Sequence, residues 1–244
     1  MKRFIPNWIT CLNATAGTLA IFMAMYGLTV WAAALVLLAM VFDFFDGMAA
    51  RLLHVKSEMG KELDSLADVV SFGVAPAVLA HGLMLGVLPG GSVWSWEDWS
   101  GWERVMALTP LMIPAFSAYR LAKFNLDERQ SVSFIGMPTP AHALFWVGAV
   151  LGAAYAPEVY GRLFASVTVL GCCAVILSVL LVSELPMFSL KVSGFGWREN
   201  RVRYLFLGAL AVCGCVWGWA VLFMVIPLYI LFSVVAFFTT LNRR

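Results

Sequence analysis

DFFDGMAAR at residues 43–51, LLHVKSEM at 52–59 and GKELDSLAD at 60–68 form the stretch that decides how this chain is read. Asp43 and Asp46 are spaced i,i+3, and Asp64 and Asp68 i,i+4. Each pair therefore shares one face of a helix. Two such helices facing each other gather four carboxylates into one volume, where they repel unless a cation lies between them. Oxygen-only ligands select a hard divalent ion, Mg²⁺ or Mn²⁺, and four carboxylates suit a two-metal site. Gly47, Ala50 and Gly60 keep the approach to the backbone open, and Arg51 adds a fixed positive charge suited to a phosphate. Metals, an arginine and small residues together describe phosphoryl transfer. A pair of helix ends bearing ordinary surface acids is the plainer alternative. Against it, Asp43 and Asp46 emerge directly from a long apolar run, where unused acids are expensive.

Outward from this stretch, the composition sets the class. Of 244 residues, 62% are apolar and only 12% charged, with a mean hydropathy of +0.88. A soluble domain carries about 25% charged residues, so the chain reads as a polytopic all-α membrane bundle. Eight spans are expected, near residues 8–26, 29–53, 62–87, 105–123, 139–156, 161–182, 204–219 and 221–239. The first six form a core, residues 1–182. Residues 183–244 add a basic connection and two further helices. Gly73 and Pro76 are expected to kink the third span, and Trp94, Trp96 and Trp99 to lie at the interface. The five cysteines form no metal spacing and read as small packing residues.

With the N-terminus inside, only Arg104 and Arg162 of the 16 Lys and Arg face outward. That bias puts the four aspartates on the cytoplasmic side of a cell inner membrane, where nucleotides are found. The inner connections carry enough basic residues to hold anionic membrane lipids. Asn7, Thr10, Asn13 and Gly17 step along one face of the first helix, which should therefore face the bundle. They read either as a wall of the polar pocket or as contacts between helices. Arg120, Lys123 and Asn125 end the fourth helix on the same side. They read as ligands for an anionic group or as anchors that reach the headgroups. Glu184 and Pro186 read as an ordinary helix end.

The pattern D-x-x-D-G-x-x-A-R-x₈-G-x-x-x-D-x-x-x-D, complete here, resembles the signature of the CDP-alcohol phosphatidyltransferases. PNWITCLNATAG at 6–17, GKELDSLADVVSFGVAP at 60–76, RLAKFN at 120–125 and GMPTP at 136–140 look like the phosphatidylserine synthase branch. In RLAKFN, Lys123 stands where many members carry arginine, which keeps the charge and loses the bidentate fork.

The resemblance implies transfer of a phosphatidyl group from CDP-diacylglycerol to L-serine with release of CMP. It implies metal ligation by Asp43, Asp46, Asp64 and Asp68, with Asp68 as general base and Asp64 beside it in catalysis. CDP is expected on Asn7, Thr10, Asn13, Asp46, Gly47, Ala50, Arg51 and Gly60. The lipid phosphate or serine is expected on Arg120, Lys123 and Asn125. A homodimer with no nucleic-acid partner is the expected assembly. Glycerol 3-phosphate, inositol phosphate or choline remain alternative acceptors, and an archaeal-type lipid an alternative donor. Asp64-Ser65 and Asp68-Val69 depart from the D-P and D-K usual for a glycerol 3-phosphate acceptor. Outside the family, an ion-coupled transporter is the rival, although the acids lie at one membrane face rather than the midplane.

Overall fold

The computed structural model describes residues 4–55, 57–126, 134–187, 197–218 and 221–241. Lys56 and Arg129 lie outside the described residues, as do the parts of the two inner connections at 127–133 and 188–196. Helix α1 (Phe4–Met25) turns at Gly27, which takes φ 77°, into α2 (Thr29–Leu52). Only glycine adopts that left-handed conformation without strain, so the turn is tight. The two helices then pack along most of their length. The seam is made of small residues, Ala16 and Ala20 against Ala32, Ala33, Val36 and Ala39, all buried. Small residues let the two backbones close up, the usual way for helices to associate in lipid.

His54 ends α2 with φ 55°, an uncommon left-handed conformation for a residue other than glycine. Ser57 then caps α3 (Glu58–Asp68), its Oγ accepting from the Gly60 N–H at 3.0 Å. Directly after Asp68 the helix widens into a π-helical turn, Val69–Val74, before α4 (Ala75–Leu85). The sequence leads one to expect a kink at Gly73 and Pro76. The distortion is the π-helical turn, which begins beside the aspartates, where such widened turns commonly sit, and includes Gly73 but not Pro76. Gly73 serves packing instead: a Cβ there would lie 3.3 Å from Pro114 Cα and 3.3 Å from Ser117 Cβ.

Past the tryptophan-bearing 3₁₀ segment Val93–Asp98, α5 (Gly101–Leu108) starts in a Ser100–Glu103 capping box. Thr109–Leu111 forms a 3₁₀ turn at Pro110, and α6 (Met112–Leu126) carries the chain back. Helix α7 (Thr139–Tyr155) stands at the centre, with His142, Trp146, Val147 and Ala149 buried. The expected straight sixth helix is broken: α8 (Pro157–Leu163) meets α9 (Val167–Val182) at 78°. A two-residue antiparallel pair, β1 (Phe134–Ile135) with β2 (Pro186–Met187), ties the loop before α7 to the end of α9. Gly136, at φ 76°, allows that crossing, because a Cβ there would lie 2.9 Å from the Leu181 carbonyl oxygen.

Helices α10 (Trp197–Trp217) and α11 (Val221–Leu241) follow. Phe223, Ile226 and Tyr229 of α11 are buried with Phe145 and Trp146 of α7 in one core. The bundle is all-helical apart from the short strand pair, and the chain is a multi-pass membrane protein. Among the described residues, four helical stretches are long and apolar enough to cross a membrane: Phe4–Met25, Thr29–Leu52, Glu58–Leu85 and Gly101–Leu126. The bent α8–α9 pair makes up to five. The expected count of eight spans is therefore not confirmed among the described residues.

Candidate functional site

The N-terminal parts of α1 and α3 and the C-terminal part of α2 enclose a cavity of about 490 Å³, within the ordinary range for small-molecule sites. Helix α1 contributes Pro6, Asn7 and Thr10, and α2 contributes Asp46, Gly47 and Ala50. Gly60, Lys61 and Asp64 come from α3, with Val55, Ser57 and Glu58 from its approach. Most of the residues expected to meet CDP are therefore brought together. Gly47 has no atom of another element within 4 Å of where a Cβ would stand, the nearest atom being Arg51 Nη2 at 3.9 Å. This is the open approach to the backbone that the sequence pattern suggested. Gly60 is different, because a Cβ there would lie 2.9 Å from Ser57 Oγ and 3.2 Å from Asn7 Oδ1. That glycine lets the start of α3 close on α1.

Two of the expected residues do not line the cavity. Arg51 is exposed, and its Nε donates to the Gly47 carbonyl oxygen at 2.9 Å. Asn13 lies deeper and is fully buried.

Asp43, Asp64 and Asp68 each offer one carboxylate oxygen, and these oxygens lie within 4.8 Å of one another. Charges that close repel by about 3 kcal/mol per pair at an effective dielectric constant of ~20. Asp64 Oδ1 is buried with no hydrogen-bond partner among the described residues. Three converging carboxylates and an orphaned oxygen fit a hard divalent cation. Asp46 stands beside this group, and its Oδ2 accepts from the Thr10 hydroxyl at 2.6 Å. Asp68 Oδ1 accepts from Asn13 Nδ2 at 3.1 Å. Asn13 is held in turn, its backbone carbonyl accepting from Ser71 Oγ at 3.0 Å. A Cβ on Gly17 would lie 2.7 Å from Ser71 Cα, so α1 and the π-helical turn cross nearly backbone to backbone. The polar face of α1 therefore has two tasks. Thr10 and Asn13 each orient one aspartate, while Gly17 sets the spacing that lets them reach.

On the other side, α6 runs antiparallel to α3. Lys61 Nζ donates to the Asn125 carbonyl oxygen at 2.7 Å, and Asn125 Nδ2 donates to Ser65 Oγ at 2.8 Å. One turn further into each helix, Arg120 comes within electrostatic reach of Asp68. Arg120 is 8% exposed and its Nε is unpartnered among the described residues. Its guanidinium carbon lies 5.9 Å from the Phe124 ring centroid. Lys123 forms an ion pair with Glu184 at 3.2 Å. Lys61 and Ser65 were not singled out from the sequence, although a signal existed. Lys61, Ser65 and Asp68 succeed one another at helical spacing, so Lys61 shares a face with the aspartates.

A membrane helical bundle with a small-molecule cavity beside a carboxylate cluster able to hold a metal ion fits one class: a phosphotransferase acting at a lipid surface. The comparison with known families makes the assignment specific. A family model of the CDP-alcohol phosphatidyltransferases matches residues 3–180, and the chain belongs to that family.

Among curated relatives, a CDP-diacylglycerol–serine O-phosphatidyltransferase of Bacillus subtilis is 40% identical over 138 residues, 57% of this chain and 70% of that protein. One of Mycobacterium leprae is 34% identical over 197 residues, 76% of this chain and 58% of the relative. One of Methanocaldococcus jannaschii is 29% identical over 217 residues, 88% of this chain and 84% of the relative.

Proposed function

We propose that this chain is a CDP-diacylglycerol–serine O-phosphatidyltransferase, moving the phosphatidyl group to the hydroxyl of L-serine and releasing CMP. The observation that carries the reading is the convergence of Asp43, Asp64 and Asp68 beside a cavity lined by Asp46, Gly47, Ala50 and Gly60 of the family pattern. The shared name of its relatives supports the acceptor. The CDP headgroup occupies the cavity between α1, α2 and α3, with Asn7, Thr10, Gly47, Ala50 and Gly60 as its walls and Arg51 at the rim. Asp43, Asp64 and Asp68, with Asp46 alongside, would hold Mg²⁺ or Mn²⁺ as a two-metal set, which would neutralise pyrophosphate charge.

The chain's own residues do the rest. The serine hydroxyl oxygen forms a bond to the phosphorus that carries diacylglycerol. The bond from that phosphorus to the CMP oxygen breaks, and CMP leaves with the electron pair. Asp68, buried and oriented by Asn13, takes the hydroxyl proton. Asp64 completes the carboxylate set beside it. Arg120 and Lys123 hold the lipid phosphate or the serine carboxylate, and Asn125 fixes the end of their helix. No covalent enzyme intermediate is needed. Residues 1–182 carry this chemistry, and residues 183–244 add α10 and α11.

The site faces the cytoplasm from a cell inner membrane, among anionic lipids, in a homodimer. The topology is tested by labelling single cysteines from one side: access to position 58 from the cytoplasm and to position 97 from outside is expected. The activity is tested with purified protein, CDP-diacylglycerol and Mn²⁺, one acceptor at a time. CMP release with L-serine is expected. Faster release with glycerol 3-phosphate or inositol phosphate overturns the acceptor.

A further inference from the structure

The ion pair between Lys123 and Glu184 links α6 to the segment that follows α9, at one end of the packed α6–α9 pair. Lys123 lies one turn beyond Arg120 on α6. Glu184 lies two residues past the end of α9. The backbone holds it in place: the Gly136 N–H donates to the Leu185 carbonyl at 2.9 Å, the Met137 N–H to the Leu180 carbonyl at 3.0 Å, and β1 pairs with β2 beyond. The side chains of Lys123 and Glu184 are 32% and 70% exposed. An ion pair that exposed contributes little to stability, so it does not account for the anchoring of Glu184. It is also easily opened.

The charges along this line run in a definite order. Asp68 lies at the reacting end, Arg120 within its electrostatic reach, Lys123 one turn outward, and Glu184 on Lys123. An α-amino acid with a side-chain hydroxyl carries a matching set: a nucleophilic oxygen, a carboxylate and an ammonium. If its carboxylate meets the α6 cations, its ammonium needs an anion beside them. The only carboxylate within salt-bridge distance of those cations, among the described residues, is that of Glu184. A phosphorylated alcohol has no group for that anion and would be repelled by it.

We propose that Glu184 receives the ammonium of the acceptor, the amino acid inserting into the Lys123–Glu184 pair so that its carboxylate takes Lys123 and its ammonium takes Glu184. The exchange conserves the number of ion pairs, so neither protein charge is left unpaired. Glu184 is thus a specificity residue that favours a zwitterion over an anion. This rests on the serine-acceptor reading and deepens it.

The test compares L-serine with 3-hydroxypropionate, which keeps the hydroxyl and carboxylate and lacks the ammonium. In the unaltered protein serine is expected to be much the better acceptor. Glu184→Gln should raise the KM for serine roughly tenfold or more, the weight of a charge-assisted hydrogen bond, with kcat within about twofold. The same change should leave 3-hydroxypropionate unaffected or improved. Glu184→Asp should restore most of the preference, and CDP-diacylglycerol affinity, measured beside the rates, should not move. An equal loss with both acceptors, or no loss with either, overturns the role of Glu184. Failure of the unaltered protein to release CMP with serine overturns the acceptor reading and this proposal with it, and is recognised before any substitution is made.

Discussion

The two sides of the candidate site differ in how their polar groups are satisfied. On the α1–α3 side, Thr10 holds Asp46, Asn13 holds Asp68, and Ser71 holds Asn13. On the α6–α9 side, Arg120 Nε, Ser117 Oγ and Ser178 Oγ are buried without partners among the described residues, and the exposed Lys123–Glu184 contact is the main polar link. The first side has such atoms too, Asn13 Oδ1 and Asp64 Oδ1, but there hydrogen bonds between buried side chains already orient two of the aspartates. The first side is preorganised for charge that is always present in the donor. The second side must admit and release a small acceptor at each turnover.

Removing a carboxylate should test the preorganised side most severely. Asp64→Asn, or Asp43→Asn, is expected to lower turnover by roughly 10³-fold or more, because an amide supplies an oxygen without the charge. Titration calorimetry with Mn²⁺ should show weakened binding. Unchanged Mn²⁺ affinity in both variants would mean that the carboxylate cluster is not the metal site, and the contrast between the two sides would lose its basis.

Asp68→Asn comes next. A general base contributes roughly 10²- to 10⁴-fold to turnover. An asparagine there can still accept from Asn13 through its amide oxygen, so the local geometry should survive. Turnover should therefore fall within that range while CDP-diacylglycerol affinity changes little. A large loss of donor affinity with turnover intact at saturating donor would move Asp68 from the base to the donor site.

Thr10→Val removes the hydroxyl from Asp46 with little change of volume. The hydrogen bond is to a carboxylate, so the donor KM should rise about tenfold, with kcat changing less. A loss of kcat with the donor KM unchanged would show that Asp46 is needed in the transition state rather than in donor binding.

The difference between the two sides also accounts for what could be read from the sequence. The aspartates were legible because carboxylates at helical spacing, emerging from an apolar run, are too costly to keep unless a cation meets them. Thr10 and Asn13 were legible as a polar face, but their separate tasks were not. Which aspartate each one meets depends on how α1 crosses the π-helical turn, a contact set by Gly17 and Ser71. The π-helical turn was legible only as a kink near Gly73, since a glycine within VVSFGV signals an irregularity but not a widened turn. The break between α8 and α9 was missed: Phe164 to Ser166 interrupts the helix without a proline or glycine. Glu184 read as an ordinary helix end, because its importance comes from a strand pair formed by residues about fifty positions apart.

The smallest effect is expected where the two sides meet. Asn125 ties α6 to α3 twice, through its carbonyl to Lys61 and through its amide to Ser65. Ser65→Ala removes only the second tie. The hydroxyl also donates to the Lys61 carbonyl at 3.2 Å, but that carbonyl lies on the exposed rim where water can replace it. A neutral hydrogen bond with these properties is worth about 1 kcal/mol. Lys61 keeps α6 in register, so Arg120 should stay near Asp68 with slightly more freedom. The serine KM should then rise about three- to fivefold, with donor affinity and Mn²⁺ affinity unchanged. If donor affinity falls by the same factor, the clasp shapes the donor cavity that Lys61 lines, and the two sides act as one site rather than as a fixed half and an adjustable half. Unchanged KM values for both substrates would leave Lys61 alone as the tie, and Lys61→Met should then produce the acceptor effect that Ser65→Ala did not.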